Sequence, residues 1–565
     1  MPVTLPQPLT HVFTPSTVPR DLDAIEPVYE ALLEMPVDDE PSVKAFLAAW
    51  DETSCWVSDH ISKSRVAAHA HTDDEEAAKV WTQVVQGVLP ALSAYDEKLG
   101  RKLLDSPALG ALETGPFAPF LRRVRVGVEL FREENIPLEQ RAEELSNEYS
   151  RLTGGWVVDF DGAPRTMSQM MRYRASADRE VRKAAFEATT AQIAKTSDAL
   201  EELFEELFSL RTQIAQNAGF ASYREFVFAE KLRDYGPEAC DAYAELVELE
   251  VLPLLRELSE AKREALGLDV DRPWDVLADP SGGEPLAPFE DIDGLQDGVE
   301  RMMHRLDPEL GDVFGHLRAN MDLESRPNKA QGGFMTWYGW ERRPFIYANA
   351  AGNHADIITL VHEAGHAFHG LMSVDATAMS GTPVPMEFNE VASMAQELLH
   401  YRTLDEFYGP HDRERAIKEH LSRIPRLLAT VARGDAFQQW LYTHPEHTRE
   451  ERRAKWVEMD ERYMPFVDWS DIPYEDRANS YHAILHFYVV PFYFIEYGFA
   501  QLGALQVAVN AERDLAGAMK AYKHALSLGP KRDTAGLYEA AGAEFVPTRE
   551  KLRDLMNWVR RGILD

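Results

Sequence analysis

Cysteine is nearly missing from this chain: Cys55 and Cys240 are the two among 565 residues. So few and so far apart, they form no disulfide framework and no cysteine metal motif, and they suit a reducing cytoplasm. Basic charge is also short. The 94 acidic residues outnumber the 59 lysines and arginines, for a formal charge of −35. Such a molecule repels nucleic acid and anionic membranes, so neither is expected as a partner. It attracts basic peptides, although solubility explains the charge equally well. The most apolar stretch, residues 481–500, could be mistaken for a membrane span, but His482, His486, Pro491 and Glu496 interrupt it. The first ten residues lack the basic region and apolar core of a secretory signal, and their prolines predict an extended arm. No repeat or low-complexity segment stands out. The hydrophobic fraction, 45%, is that of a globular protein, and the length implies more than one domain or lobe.

What the chain does have is a His-Glu-x-x-His motif, His362, Glu363 and His366, inside residues 353–372. On a helix, positions i and i+4 stack on one face, so both imidazoles can reach one zinc ion. Glu363 is rotated off that axis and is suited to take a proton from water there. The surroundings favour a helix. Asn353 and Asp356 make a capping-box-like start, and Ile357, Ile358, Leu360, Val361, Ala364 and Phe368 supply apolar faces. Gly365, which costs about 1 kcal/mol against Ala in mid-helix, predicts close packing at that point.

A catalytic zinc needs a third protein ligand. His369 lies at i+7 from His362, and such a set spans about 10.5 Å of helix axis. It is therefore expected to pack behind the site or support a ligand. The metzincin extension is absent, because Gly370 follows His369 directly. A second helix is expected from Pro385, with Glu390, Ser393 and Glu397 on one face. Carboxylates in so apolar a helix are costly to bury unless paired or metal-bound. Glu390 is the expected third ligand, and Glu397 is placed to orient a ligating imidazole.

Elsewhere the pattern is largely helical. Residues 42–100 predict a pair of long helices, and helical spacing continues through 120–153 and 178–268. Gly154-Gly155 breaks it, Trp156–Phe160 reads as a short strand, and Asp161-Gly162 makes the turn after it. A lobe boundary is expected near residue 175, dividing an N-terminal helical lobe, 1–175, from a catalytic domain, 176–565. Residues 269–292, rich in Pro and Gly, read as a loop or hinge and not as a core element. Residues 330–349 predict a small hairpin or sheet whose edge could pair with a substrate backbone. The apolar stretch 481–500 reads as a buried helix broken at Pro491. On an unbroken wheel His482, His486, Tyr493 and Tyr497 fall within about 60° of one another, while Tyr488 points elsewhere.

His-Glu-Ala-Gly-His-Ala-Phe-His, 362–369, followed by Phe-Asn-Glu-Val-Ala-Ser-Met-Ala-Gln-Glu, 388–397, resembles peptidase family M3 in its oligoendopeptidase F branch. Phe160-Asp161-Gly162, the run 176–182, Gly332-Gly333-Phe334-Met335 and the run 344–349 agree with that branch. The resemblance runs from about residue 150 to the end. It implies one Zn2+ per chain on His362, His366 and Glu390, with Glu363 as general base. It also implies a downstream His and tyrosines that bind substrate and the developing oxyanion. His486, Tyr493 and Tyr497 are the candidates for that role, with His482 and Tyr488 nearby. Here the segment departs from the glycine-rich loop of the thimet branch. The implied fold is mainly α, two helical lobes flanking a deep substrate channel, with a small β element near the zinc helix. The implied activity is endopeptidase cleavage of short unstructured oligopeptides in the cytoplasm. Two alternatives stand beside it: a carboxypeptidase or dipeptidyl carboxypeptidase using the same helix, and a helical peptide-binding protein without catalysis.

Overall fold

The structure, a computed structural model, describes residues 19, 21–281, 286–326, 328–330, 332–376, 378–380 and 382–565. The arm expected for residues 1–10 lies outside them. The fold is mainly α with two small sheets. No described helix is long and apolar enough to cross a membrane. Chain contacts divide it into two compact units, each drawn from three stretches: Met1–Glu129, Leu286–Ile417 and Ala500–Phe545 in the first, Leu130–Pro285, Lys418–Phe499 and Val546–Asp565 in the second. The boundary expected near residue 175 falls inside the second unit, between helices Met167–Arg174 and Arg179–Asn217.

In the second unit the Gly-Gly break is followed by a hairpin, strands β1 (Val157–Phe160) and β2 (Ala163–Thr166). Asp161 (φ 51°) and Gly162 (φ 73°) make its two-residue turn, as Asp-Gly should in a tight hairpin. Of the stripe Leu200, Leu203, Leu207 and Leu210 that the spacing predicts, helix Arg179–Asn217 buries the first three and leaves Leu210 half-buried. Residues 269–281 do form a loop, but two of its carboxylates are core groups. Asp275 is fully buried between Arg179 and Arg182, at 2.7 and 2.8 Å, and Asp271 is buried against Lys262 at 3.0 Å. The expectation of a purely peripheral loop fails because these cations drew the acidic side chains inward.

Residues 481–500 are not one interrupted helix. Two short 3-10 turns, Ser480–Ala483 and Leu485–Phe487, precede a helix that starts only at Phe494. The physical reason is that side chains take the backbone groups that helix bonds would need. Arg211 binds the carbonyls of Phe487, at 2.8 Å, and of Tyr488, and Ser146 also donates to Tyr488 O at 3.1 Å. Pro491 has no N–H, Phe492 sits at φ 60°, and its N–H goes to Gln438 at 2.8 Å.

The first unit holds the second sheet: β3 (Met321–Glu324), β4 (Phe334–Tyr338) and β5 (Arg343–Ala350), in the order β3-β5-β4. Strands β4 and β5 are the expected hairpin, with Phe334 stacked on Tyr347 at 4.8 Å between ring centres. Strand β3, parallel to β5, had no signal strong enough to read from sequence. Helix Glu40–Ala70 packs against β4. The second of the two expected long helices is Glu75–Leu104, with a π turn at Val84–Val88 just before Pro90.

Candidate metal centre

Two helices of the first unit build the site. The motif helix spans His354–Ser373. Asp356 closes its first turn by accepting from the N–H groups of Ala351 and Asn353, at 2.8 and 2.9 Å. The neighbouring helix, Met386–Leu399, is buried on most of its surface. Gly365 explains how close the two come: a Cβ there would stand 2.6 Å from both Ala392 O and Ser393 Cα. Any side chain would wedge the helices apart. The second helix is fastened from behind by two tyrosines far along the chain. Tyr522 donates to Ala392 O at 2.6 Å and receives Gln396 at 3.0 Å, and Tyr538 donates to Glu387 O at 3.3 Å.

This packing brings His362, His366 and Glu390 together, with one ligand atom from each within 4.8 Å of the others. Glu390 Oε2 lies 3.5 Å from His362 Nε2 and 3.6 Å from His366 Nε2. A tetrahedral ion with bonds of about 2.0–2.1 Å holds its ligand atoms about 3.3 Å apart, so the donor set fits zinc in kind and spacing. Ser393 donates to Glu390 Oε2 at 3.2 Å and helps fix that carboxylate. Glu397 Oε1 sits 2.6 Å from His362 Nδ1. That contact assigns the ring proton to Nδ1 and leaves the Nε2 lone pair facing Glu390.

The electrostatics also favour a cation. Burial opposes protonation of His362, but the Glu397 carboxylate, with Glu363 and Glu390, outweighs it and pushes its pKa up to about 9. Burial is the main cause raising Glu363 to about 7. The charge of His362 opposes it, Glu390 adds to it, and the Met335 N–H of β4 lowers it. His366 is pushed down to about 3, by burial first and the His362 charge second. Three carboxylates around two imidazoles hold extra protons where a divalent ion would otherwise neutralise them. Glu363 itself is 7% exposed, with Oε2 buried and unbonded.

His369 stands apart from the ligand atoms. Its Nδ1 meets Asn389 Oδ1 at 3.0 Å and its ring meets Phe388 edge-on at 5.8 Å between centres. Asn389 was not singled out by sequence reasoning, and nothing in the spacing of a single Asn would have done so. Gln396, Tyr522 and Tyr538 were missed too, because they lie behind the site and not on its motif.

The candidates of the second unit separate into two groups. His486, Tyr493 and Tyr497 form a ring cluster, with centres 6.2, 5.8 and 5.2 Å apart pairwise. Burial pushes His486 down to about 4. His482 does not join them. It is fully buried, with Nδ1 2.6 Å from Tyr488 OH and Nε2 3.6 Å from Glu201. Tyr488 stacks on Tyr149 at 4.2 Å in the same core. The wheel that grouped His482 with His486 assumed a helix that the backbone does not form.

The description "Peptidase family M3" matches residues 172–306 and 310–556 of this chain. Among curated relatives, the oligoendopeptidase F homolog of Borreliella burgdorferi is 22% identical over 439 residues, covering 73% of this chain and 72% of its own. The chromosomal oligoendopeptidase F of Lactococcus lactis subsp. cremoris is 24% identical over 241 residues, 40% of this chain and 37% of its own. Among solved structures, PZ peptidase A superposes with a TM-score of 0.88 at 24% identity, covering 98% of this chain and 99% of its own, which speaks to the fold.

Proposed function

This chain belongs to peptidase family M3, and from that premise we propose that it is a zinc-dependent endopeptidase of short, unstructured oligopeptides. The observation that carries the proposal is the convergence of His362, His366 and Glu390 with the buried Glu363 carboxyl on the same helix. His362, His366 and Glu390 would hold the ion. Zinc bound there supplies Lewis-acid polarisation of water and of the scissile carbonyl.

The rest of the work belongs to the chain. Glu363 takes a proton from the attacking water as its oxygen bonds to the carbonyl carbon. It then gives that proton to the amide nitrogen as the C–N bond breaks. Its burial favours the protonated form that it holds between the two transfers. Glu397 holds His362 in the tautomer that presents Nε2. His486, Tyr493 and Tyr497 are proposed to contact substrate and the oxyanion, a role supported by their ring cluster and by the family pattern. Cys55 and Cys240 are buried and form no disulfide, which suits a reducing compartment.

The test is mass spectrometry of a mixed set of short peptides incubated with the protein, with and without chelator. Internal cuts that vanish with chelator and return with zinc are expected. Cuts confined to C-terminal ends would replace the endopeptidase reading by the carboxypeptidase one. No cuts from protein holding stoichiometric zinc would overturn both.

A further inference from the structure

A cavity of about 470 Å3 lies wholly within the second unit, and its volume is that of a small-molecule site. Phe186, Ile193, Val276, Met464, Val467 and Trp469 give it apolar walls. Two guanidiniums, Arg174 and Arg426, and two carboxylates, Glu475 and Asp476, also line it. None of these four charged groups makes a hydrogen bond or ion pair with any described residue. Arg174 has only the face of Phe186, at 5.3 Å. The third cavity arginine shows the contrast: Arg433 is held by Asp460, which Arg477 also binds at 2.7 Å.

Unpaired charge held against an apolar cavity costs stability, which bears on the half-buried Arg174, Arg426 and Asp476, whereas Glu475 is exposed. Burial lowers the pKa of Arg174 and of Arg426, and burial with the neighbouring Glu475 raises that of Asp476. Arg174 has no carboxylate acting on it, and Arg426 feels only Asp271, which is itself bound to Lys262 at 3.0 Å. The two arginines form no ion pair with Glu475 or Asp476, although all four line the same cavity. Two further lining atoms are buried and unbonded, the donor Trp469 Nε1 and the acceptor Asn479 Oδ1. A complementary ligand carries a carboxylate for the arginines, an ammonium for Glu475 and Asp476, and an apolar body between. A peptide of two or three residues separates its termini by at most roughly 7–11 Å, whereas a single amino acid holds both charges on one carbon.

We propose that this cavity binds a short zwitterionic peptide with apolar side chains, at a site separate from the metal ligands. Its ligand class is what the proposed peptidase would release, and in that respect the inference rests on that reading. The charge complementarity itself does not depend on cleavage.

The test is calorimetric titration of the full chain with leucyl-leucine, N-acetyl-leucyl-leucine and leucyl-leucine amide. Leucyl-leucine is expected to bind at least about tenfold more tightly than either blocked form, since each forfeits one charge contact. In the Arg174→Gln/Arg426→Gln double variant its affinity is expected to fall about tenfold, while the amide binds as before. Equal affinity for blocked and unblocked forms overturns the proposal, as does parental affinity in the double variant or no binding at millimolar peptide. Should the double variant fail to fold, the blocked peptides on the parental chain decide. Cleavage of longer peptides is scored on the same preparation. A chain that binds without cutting sinks the peptidase reading alone, and one that cuts without binding sinks this one alone.

Discussion

His362 and His482 each face a glutamate carboxylate, yet their proton affinities move in opposite directions. His362, beside Glu397 at 2.6 Å, is pushed up to about 9. His482, 3.6 Å from Glu201, is pushed down to about 3, first by burial and then by Arg452, Arg449 and Arg453. The difference lies one layer further out. Glu201 already belongs to Arg452 and accepts Tyr481 OH at 2.7 Å, so no negative charge is left over for the imidazole. Around His362 the carboxylates outnumber the imidazoles. A buried histidine–glutamate pair is therefore structural or ligand-ready according to whether a guanidinium has already satisfied the acid.

The largest effect expected on this contrast comes from removing the proton carrier. Glu363→Gln should lower peptide cleavage about 10³-fold with metal content unchanged by atomic absorption. Parental turnover in that variant would end the role given to Glu363. On the structural side, Glu201→Gln removes the buried one of Arg452's two carboxylate partners and leaves Glu205 at 3.2 Å, and denaturant unfolding should show a loss of up to about 3–5 kcal/mol. A loss under 1 kcal/mol would mean that the Arg452 pair is not what closes this core. Glu397→Gln should weaken zinc binding by about 10–100-fold in a competition with a chromophoric chelator. Unchanged affinity would leave Glu397 without its positioning role.

The smallest effect is one of pH. His482 has a folded pKa of about 3 against about 6.5 for the free side chain. A depressed value means that its contribution is fully present above pH 6.5 and is lost as pH falls towards 3. At pH 5 the loss is about 2 kcal/mol. His369 and His400, also depressed by burial, act in the same sense. The diagnostic is therefore the difference between the parental chain and His482→Gln, whose stability should fall less between pH 7 and pH 5. Identical slopes would show that His482 is not the buried neutral group described.

The clustering of His362, His366 and Glu390 was legible because its signals are local. His362, Glu363 and His366 follow a helical period, and Gly365 announced a close approach that Ala392 and Ser393 now account for. The Asp-Gly hairpin was legible for the same reason. What sequence could not supply were partners chosen across long separations. Arg211 draws the carbonyls of Phe487 and Tyr488 out of a helix, and Arg179 with Arg182 pulls Asp275 into the core. Periodicity carries no trace of a hydrogen bond made by a side chain about 90 to 280 residues away. The interleaving of the two units is invisible for the same reason, since composition does not change where the chain passes from one to the other.

That interleaving has a consequence for how the protein comes into being. The helix that carries Glu390 is fastened by Tyr522 and Tyr538, one 130 and the other 151 residues downstream of the groups they bind. The second unit likewise draws in Val546–Asp565. A ribosome making this chain at about 5–20 residues per second exposes the helices that carry His362, His366 and Glu390 for several seconds before their last supports emerge. Neither unit can close in order of synthesis, and a nascent chain stalled before residue 522 would present the His-Glu-x-x-His helix with its apolar neighbours uncovered. The order in which the segments are joined thus leaves apolar surface uncovered until translation is nearly complete.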